Sequence, residues 1–98
     1  MDCNQIIVCG KISKLDNLRY TPTGIAVIGL AIDHRSQQLE AQVTRQVICN
    51  IPAIVVGSLA LKIAELKVGT QVRLTGFINQ RSHTNRQLVL HVNHFVLI

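Results

Sequence analysis

The order of its strand-like segments constrains the fold of this chain more than any other feature of the sequence. The strands are marked by β-branched residues and by a two-residue apolar period, as in Thr70–Gln80, where Val72 and Leu74 alternate with polar neighbours. Only one segment has a helical period, and it follows the third strand. The predicted strands are Gln5–Lys14, Ile25–His34, Val43–Val56, Thr70–Gln80 and Leu88–Leu97, with a short extended piece at Leu18–Tyr20.

The single helix is predicted over about Ser58 to Leu66. Apolar residues recur there at helical spacing, Ser58 is a candidate N-cap, and Gly69 lies just beyond the predicted end as a C-cap signal. The pattern therefore predicts one short helix.

Two polar stretches separate strands. Arg35–Gln42 has no strand period and only one large apolar residue, which predicts a long hairpin tip. Gln80–Gln87, QRSHTNRQ, is polar and basic and is predicted to be the loop before the last strand. Pro52 is expected at an edge, a bulge or a strand end, because it cannot donate a ladder hydrogen bond.

Three strands, one helix and two further strands match the five-stranded Greek-key barrel called the OB-fold. We therefore predict an all-β chain with one short helix between strands 3 and 4, forming a single domain over residues 1–98. A small open β-sandwich is the alternative. It would more often lack the helix.

Charge points to a polyanionic partner. Ten Lys and Arg against five Asp and Glu give a net charge of +5 and a pI near 9.6. No catalytic triad or carboxylate pair stands out, and the three cysteines have no zinc spacing, so we expect neither an enzyme nor a metal or other cofactor site. His91 and His94, three residues apart on a strand, are expected to face opposite ways. No apolar run is long enough for a membrane helix, and a cytoplasmic protein is expected.

Residues spread over nearly the whole chain resemble the primosomal replication protein N (PriB) family. The segment from Val68, VGTQVRLTGFINQ, also resembles a strand of bacterial single-stranded-DNA-binding proteins. The residues that carry the PriB resemblance are Tyr20–Pro22, Gly24–Ile25, Asp33–Ser36, Gln38, Glu40–Ala41, Arg45–Gln46, Cys49, Pro52, Ile54–Val55, Gly57, Val68–Gly69, Gly76–Ile78 and Leu88–His91.

The resemblance implies a homodimer without enzymatic activity that binds single-stranded DNA and assists the replication-restart helicase, together with other primosomal proteins. It places DNA along basic positions of the barrel and its loops. To these we add Tyr20, which could stack on a base or simply pack, and His83 as a lesser candidate. The candidate nucleic-acid-binding residues are Lys14, Arg19, Tyr20, Arg35, Arg45, Arg81, His83 and Arg86.

One departure from the family pattern affects the expected binding mode. Family members often carry aromatic residues near the Arg-Gln of strand 3, where Val43 and Ile48 stand here. Without such platforms, binding is expected to be weaker or more electrostatic. Two alternatives stay open: an OB-fold protein adaptor of the primosome with weak or lapsed DNA binding, and an RNA-binding protein.

Overall fold

The computed structural model describes residues 1–98 and contains six strands and one helix. Each predicted strand is present, and the short extended piece is a two-residue strand. The elements are β1 (Ile6–Leu15), β2 (Arg19–Tyr20), β3 (Ala26–Glu40), β4 (Val43–Val56), α1 (Ser58–Ile63), β5 (Gln71–Gln80) and β6 (Leu88–Leu97). No helix in the structure has the length and apolar character needed to cross a membrane.

The five long strands close into a barrel. The sheet order is β1-β5-β6-β4-β3-β2, and an additional antiparallel pairing between β1 and β3 closes it. β4 and β6 run parallel and pair only at Ala53 with Leu90 and at Ile54 with His91. β2 adds to β3 outside the barrel. The prediction of an all-β, five-stranded OB-fold barrel with one helix is confirmed.

Large aliphatic side chains fill the barrel, and α1 covers part of it. β3 alternates: Ile28, Leu30 and Ile32 are buried, while the residues between them face outward. From α1, Ala60 and Ile63 are fully buried in the same core. Each fully buried Ile or Leu contributes roughly 1.5–3 kcal/mol relative to an exposed one. The core therefore fixes which face of each strand is left for binding.

The predicted long hairpin tip at Arg35–Gln42 is wrong. β3 and β4 stay paired as far as Glu40 and Val43, and the turn is only Ala41 and Gln42. Both turn residues have positive φ angles, 49° and 64°, which suit a tight two-residue hairpin. Beyond Ile32 the two strands leave the core as an arm with both faces largely in water. Such an arm needs no apolar alternation, and so the sequence pattern did not reveal it.

The predicted helix start and end are also corrected. Gly57, not Ser58, is the N-cap residue, and no side chain caps the helix. Gly57 has φ 98° and donates its N–H to the Ala26 carbonyl oxygen at 2.8 Å, so the corner from β4 into α1 needs a positive φ that serine disfavours. The helix ends at Ile63, a turn follows at Ala64 and Glu65, and Leu66 lies beyond that turn. Pro52 lies inside β4, one residue before its pairing with β6 begins.

Candidate nucleic-acid interface

An open groove of about 320 Å³ lies on the outer face of β3 and β4. Its floor is formed by outward-facing, uncharged residues of the two strands, and its rim carries three cations that come from separate parts of the chain. The floor comprises Gly29, Ala31, Pro52 and Ile54, and the cations are Lys14 on β1, Arg19 on β2 and Arg81 in the loop between β5 and β6. The barrel closure thus brings three of the eight predicted residues together.

One acid lies among these cations. Lys14 Nζ is 3.8 Å from Asp16 Oδ1, with both side chains more than half exposed, so their attraction is weak. The Asp16 carboxylate reaches over the groove floor, since a Cβ added to Gly29 would lie 2.5 Å from Asp16 Oδ2. Arg19 and Arg81 have no carboxylate within ion-pair distance. The groove therefore keeps a net positive charge.

Arg81 is held at the base of its loop. Its backbone N–H donates to the Gln87 carbonyl oxygen at 2.8 Å, and its Nε donates to Gln87 Oε1 at 3.1 Å. Asn85 acts as a turn residue, because its side-chain oxygen accepts the Gln87 N–H at 3.0 Å. His83 and Arg86 are exposed in the same loop. Arg81 is thus positioned by hydrogen bonds, whereas the exposed Arg86 side chain makes no hydrogen bond or ion pair.

Arg35 lies outside the groove on the same outer surface. It lines a separate concavity of about 360 Å³ with Lys11 and Asp33 at the base of the arm. Between the two concavities, Asn50 Nδ2 donates to Asp33 Oδ1 at 2.8 Å. A strand of nucleic acid that followed β3 from the groove toward the arm would meet Arg35 after this polar bridge.

Arg45 faces away from the groove. The register pairs it with Gln38, and its Nε lies 3.3 Å from Glu40 Oε1. Val43 shares that face, whereas Ile48 pairs with Arg35 on the opposite, outer face. Val43 and Ile48 therefore cannot form one platform. The weaker or more electrostatic binding expected without an aromatic residue therefore concerns Ile48 alone, because only Ile48 lies on the outer face.

Aromatic residues lie elsewhere on the barrel. Tyr20 on β2 is 60% exposed and is not part of the groove lining. Phe77 on β5 stacks on His91 of β6, with ring centroids 4.9 Å apart and planes within 10°. Sequence reasoning did not select His91 as a binding residue.

The expectation that His91 and His94 face opposite ways is wrong. β5 and β6 pair Phe77 with His91 and Thr75 with His94, and a register shift between these pairs leaves Asn93 as an extra residue. Such a bulge changes the alternation of the strand, and both imidazoles lie on the outer face. The described chain contains no group of three or more His, Cys, Asp or Glu placed to hold a metal ion.

Comparisons with known proteins agree with this architecture. A family model described as "another single-strand binding protein family" matches residues 4–94. A replication restart protein PriB from Nitrosomonas europaea is 38% identical over 91% of this chain and 82% of its own length. The PriB of Erwinia tasmaniensis is 35% identical over all of this chain and 96% of its own length.

Solved structures show the same fold. PriB from Ralstonia solanacearum superimposes with a TM-score of 0.88 and 27% identity over 98% of both chains. The single-stranded DNA binding protein of Thermus aquaticus has a TM-score of 0.79 and 18% identity over 98% of this chain and 50% of its own, a likeness of fold only. With its matching family model and its full-length relatives, this chain belongs to the PriB family of single-strand-binding-type OB-fold proteins.

Proposed function

We propose that this protein binds single-stranded DNA in the groove between β3 and β4, chiefly through phosphate contacts. The observation that carries the proposal is the convergence of Lys14, Arg19 and Arg81 on one open groove. Clustered cations release the counterions condensed on a nucleic-acid backbone, and this release supplies most of sequence-independent affinity. Family membership supports the same ligand.

The groove floor favours a backbone-directed mode. Ala31, Pro52 and Ile54 offer apolar contact but no aromatic ring on which a base could stack. Base stacking on aromatics contributes roughly 1–3 kcal/mol per base where it is present. Binding in the groove itself therefore depends on charge, and it should weaken steeply as salt concentration rises.

The biological role we infer is that of a non-enzymatic accessory in replication restart, one that assists the restart helicase and meets other primosomal proteins. Its relatives are named replication restart proteins, and they match over nearly their whole length. The cationic groove on the outer surface suits a binding role. A cytoplasmic location goes with this role.

A titration of the unmodified protein tests the ligand. Fluorescence anisotropy of a labelled poly-dT oligonucleotide, at several salt concentrations, should give a linear plot of log affinity against log salt with a slope of about −2 for three phosphate contacts on a single strand. Binding no tighter than millimolar at both low and moderate salt would instead favour the protein-adaptor function. Stronger competition by rU than by dT oligomers would favour RNA.

We also propose that the protein is a homodimer joined at the edge of β1. β3 pairs with β1 only from Lys11 to Leu15, which leaves the Ile6–Gly10 edge without a partner strand. The Ile12 N–H donates to the Thr70 carbonyl oxygen, and the Ile12 carbonyl oxygen accepts from the Gly69 N–H, so the peptide groups of Ile12 face the β5 side. Backbone groups alternate in direction along a strand, and those of odd-numbered residues such as Ile7 therefore face the open edge. Ile7 is also 62% exposed. An apolar open edge of this kind can pair with a second copy about a two-fold axis.

Ile7→Pro tests the edge. The substitution removes an N–H that points away from β5, so it spares the β1–β5 ladder while removing an intersubunit donor. Light scattering should give a mass of twice 10.8 kDa for the unmodified protein and for Ile7→Val, and 10.8 kDa for Ile7→Pro at the same concentration. An unmodified protein of single mass would contradict the dimer, and a dimeric Ile7→Pro variant would place the interface elsewhere.

A further inference from the structure

The groove floor continues directly onto the Phe77–His91 stack. Gly29 is paired with Ile54 across β3 and β4, Ile54 with His91 across β4 and β6, and His91 with Phe77 across β6 and β5. Residues directly opposite one another in a sheet share a face, and neighbouring strands lie about 4.8 Å apart. The four residues therefore form one row across the outer surface, from the groove to the aromatic pair.

His91 also lines a small polar concavity beside the groove. The concavity, of about 240 Å³, is completed by uncharged amides and by the first residues of the β5–β6 loop. Its lining residues are Asn79, Gln80, Arg81, Ser82, His83 and His91. Arg81 lines both this concavity and the cationic groove. One cation thus stands at the boundary between the two.

The stack covers one ring face of His91, a residue that is half-buried on β6. Phe77 lies against the imidazole from the β5 side. Since β4 lies on the other side of β6, the second face of the ring is directed toward Ile54 and the groove. A parallel aromatic neighbour holds the imidazole in this orientation, which is the arrangement that a stacked base requires.

We propose that His91 is a base-stacking residue, and that one base of the bound strand enters the concavity beside Arg81 while Phe77 holds the imidazole from behind. The inference deepens the proposed function and rests on it, because the strand must first lie in the groove. Arg81 then contacts the phosphate between a base in the groove and the base on His91. Asn79 and Gln80 offer amide donors and acceptors to the base edge.

A stacking contact can be distinguished from a charge contact because it depends on the bases of the strand rather than on its phosphates. His91→Leu removes the ring but keeps a side chain of similar bulk, and it should lower affinity for poly-dT about fivefold or more. His91→Phe keeps a stacking surface without a charge, and it should stay within about twofold of the unmodified protein. Phe77→Leu, a positioning change, should lower affinity in the same direction as His91→Leu.

The matched probe is an abasic oligonucleotide of the same length. His91→Leu should leave its affinity unchanged, and it should leave the salt slope for poly-dT unchanged. Val96→Ala, a control on the same outer face of β6, should alter neither, and thermal unfolding confirms that each variant is folded. An equal loss with dT and abasic strands, or no loss with dT, would overturn the stacking role while the proposed function stands. Failure of the unmodified protein to bind either strand would instead remove the proposed function itself.

Discussion

Replacing all three groove cations, Lys14, Arg19 and Arg81, with alanine should lower affinity for poly-dT on the order of 100-fold at 0.1 M salt. Each phosphate contact on a single strand adds about 0.7 to the salt slope, which corresponds to roughly fivefold in affinity at that concentration. The fivefold losses from the three contacts multiply to a loss on the order of 100-fold. The slope itself should fall toward zero by about two units. Anisotropy titrations at four or more salt concentrations measure both quantities.

Two single variants serve as controls for the charge argument. Asp16→Asn removes the acid that reaches over the groove floor, so it should raise affinity, in the opposite direction to the triple variant. Arg45→Ala lies on the opposite face of the arm and is paired with Glu40, so it should change affinity little. A triple variant with an unchanged slope would show that the strand lies elsewhere, and a large loss in Arg45→Ala would point to the far face of the arm.

The barrel was predictable from sequence because burial imposes a pattern. β5 carries the two-residue period through Val72 and Leu74, both fully buried, and the helical period after the third predicted strand includes Ile63, which is fully buried in the core. The arm was missed for the same reason. Its side chains beyond Ile32 face water on both sides, so selection for an apolar face does not act on them.

The candidate site was predictable only in part, because it depends on register. Lys14, Arg19 and Arg81 could be chosen by charge and resemblance, but their convergence follows from the β1–β3 pairing that closes the barrel. Arg45 was chosen on the same grounds and faces the other way. His91 was overlooked because its relation to Phe77 requires the β5–β6 register, and a bulge has no signature in residue composition.

Position 76 must be glycine because the paired strand β6 leaves no room for a Cβ there. It follows Thr75 at the register shift, and the β6 backbone passes against it. A Cβ at this position would overlap the carbonyl oxygen of His91 and would lie 2.8 Å from its carbonyl carbon and 3.0 Å from the Cα of Val92. All three atoms belong to the backbone of a paired strand. Relief would therefore require β5 and β6 to separate in the middle of the barrel.

Gly76→Ala should lower the free energy of unfolding by at least about 3 kcal/mol, at the upper end of the usual cost of overpacking. For a domain of this size the midpoint of thermal unfolding should fall by about 12 to 24 °C. Gly29→Ala is the matched control, because the three nearest atoms that its Cβ would meet belong to the exposed Asp16 side chain, which can rotate away. That variant should cost less than about 1 kcal/mol, since it also restricts the unfolded chain. Equal midpoints for the two variants would mean that β6 can move away from Gly76, and the register that places His91 beside Phe77 would then not be fixed by this contact.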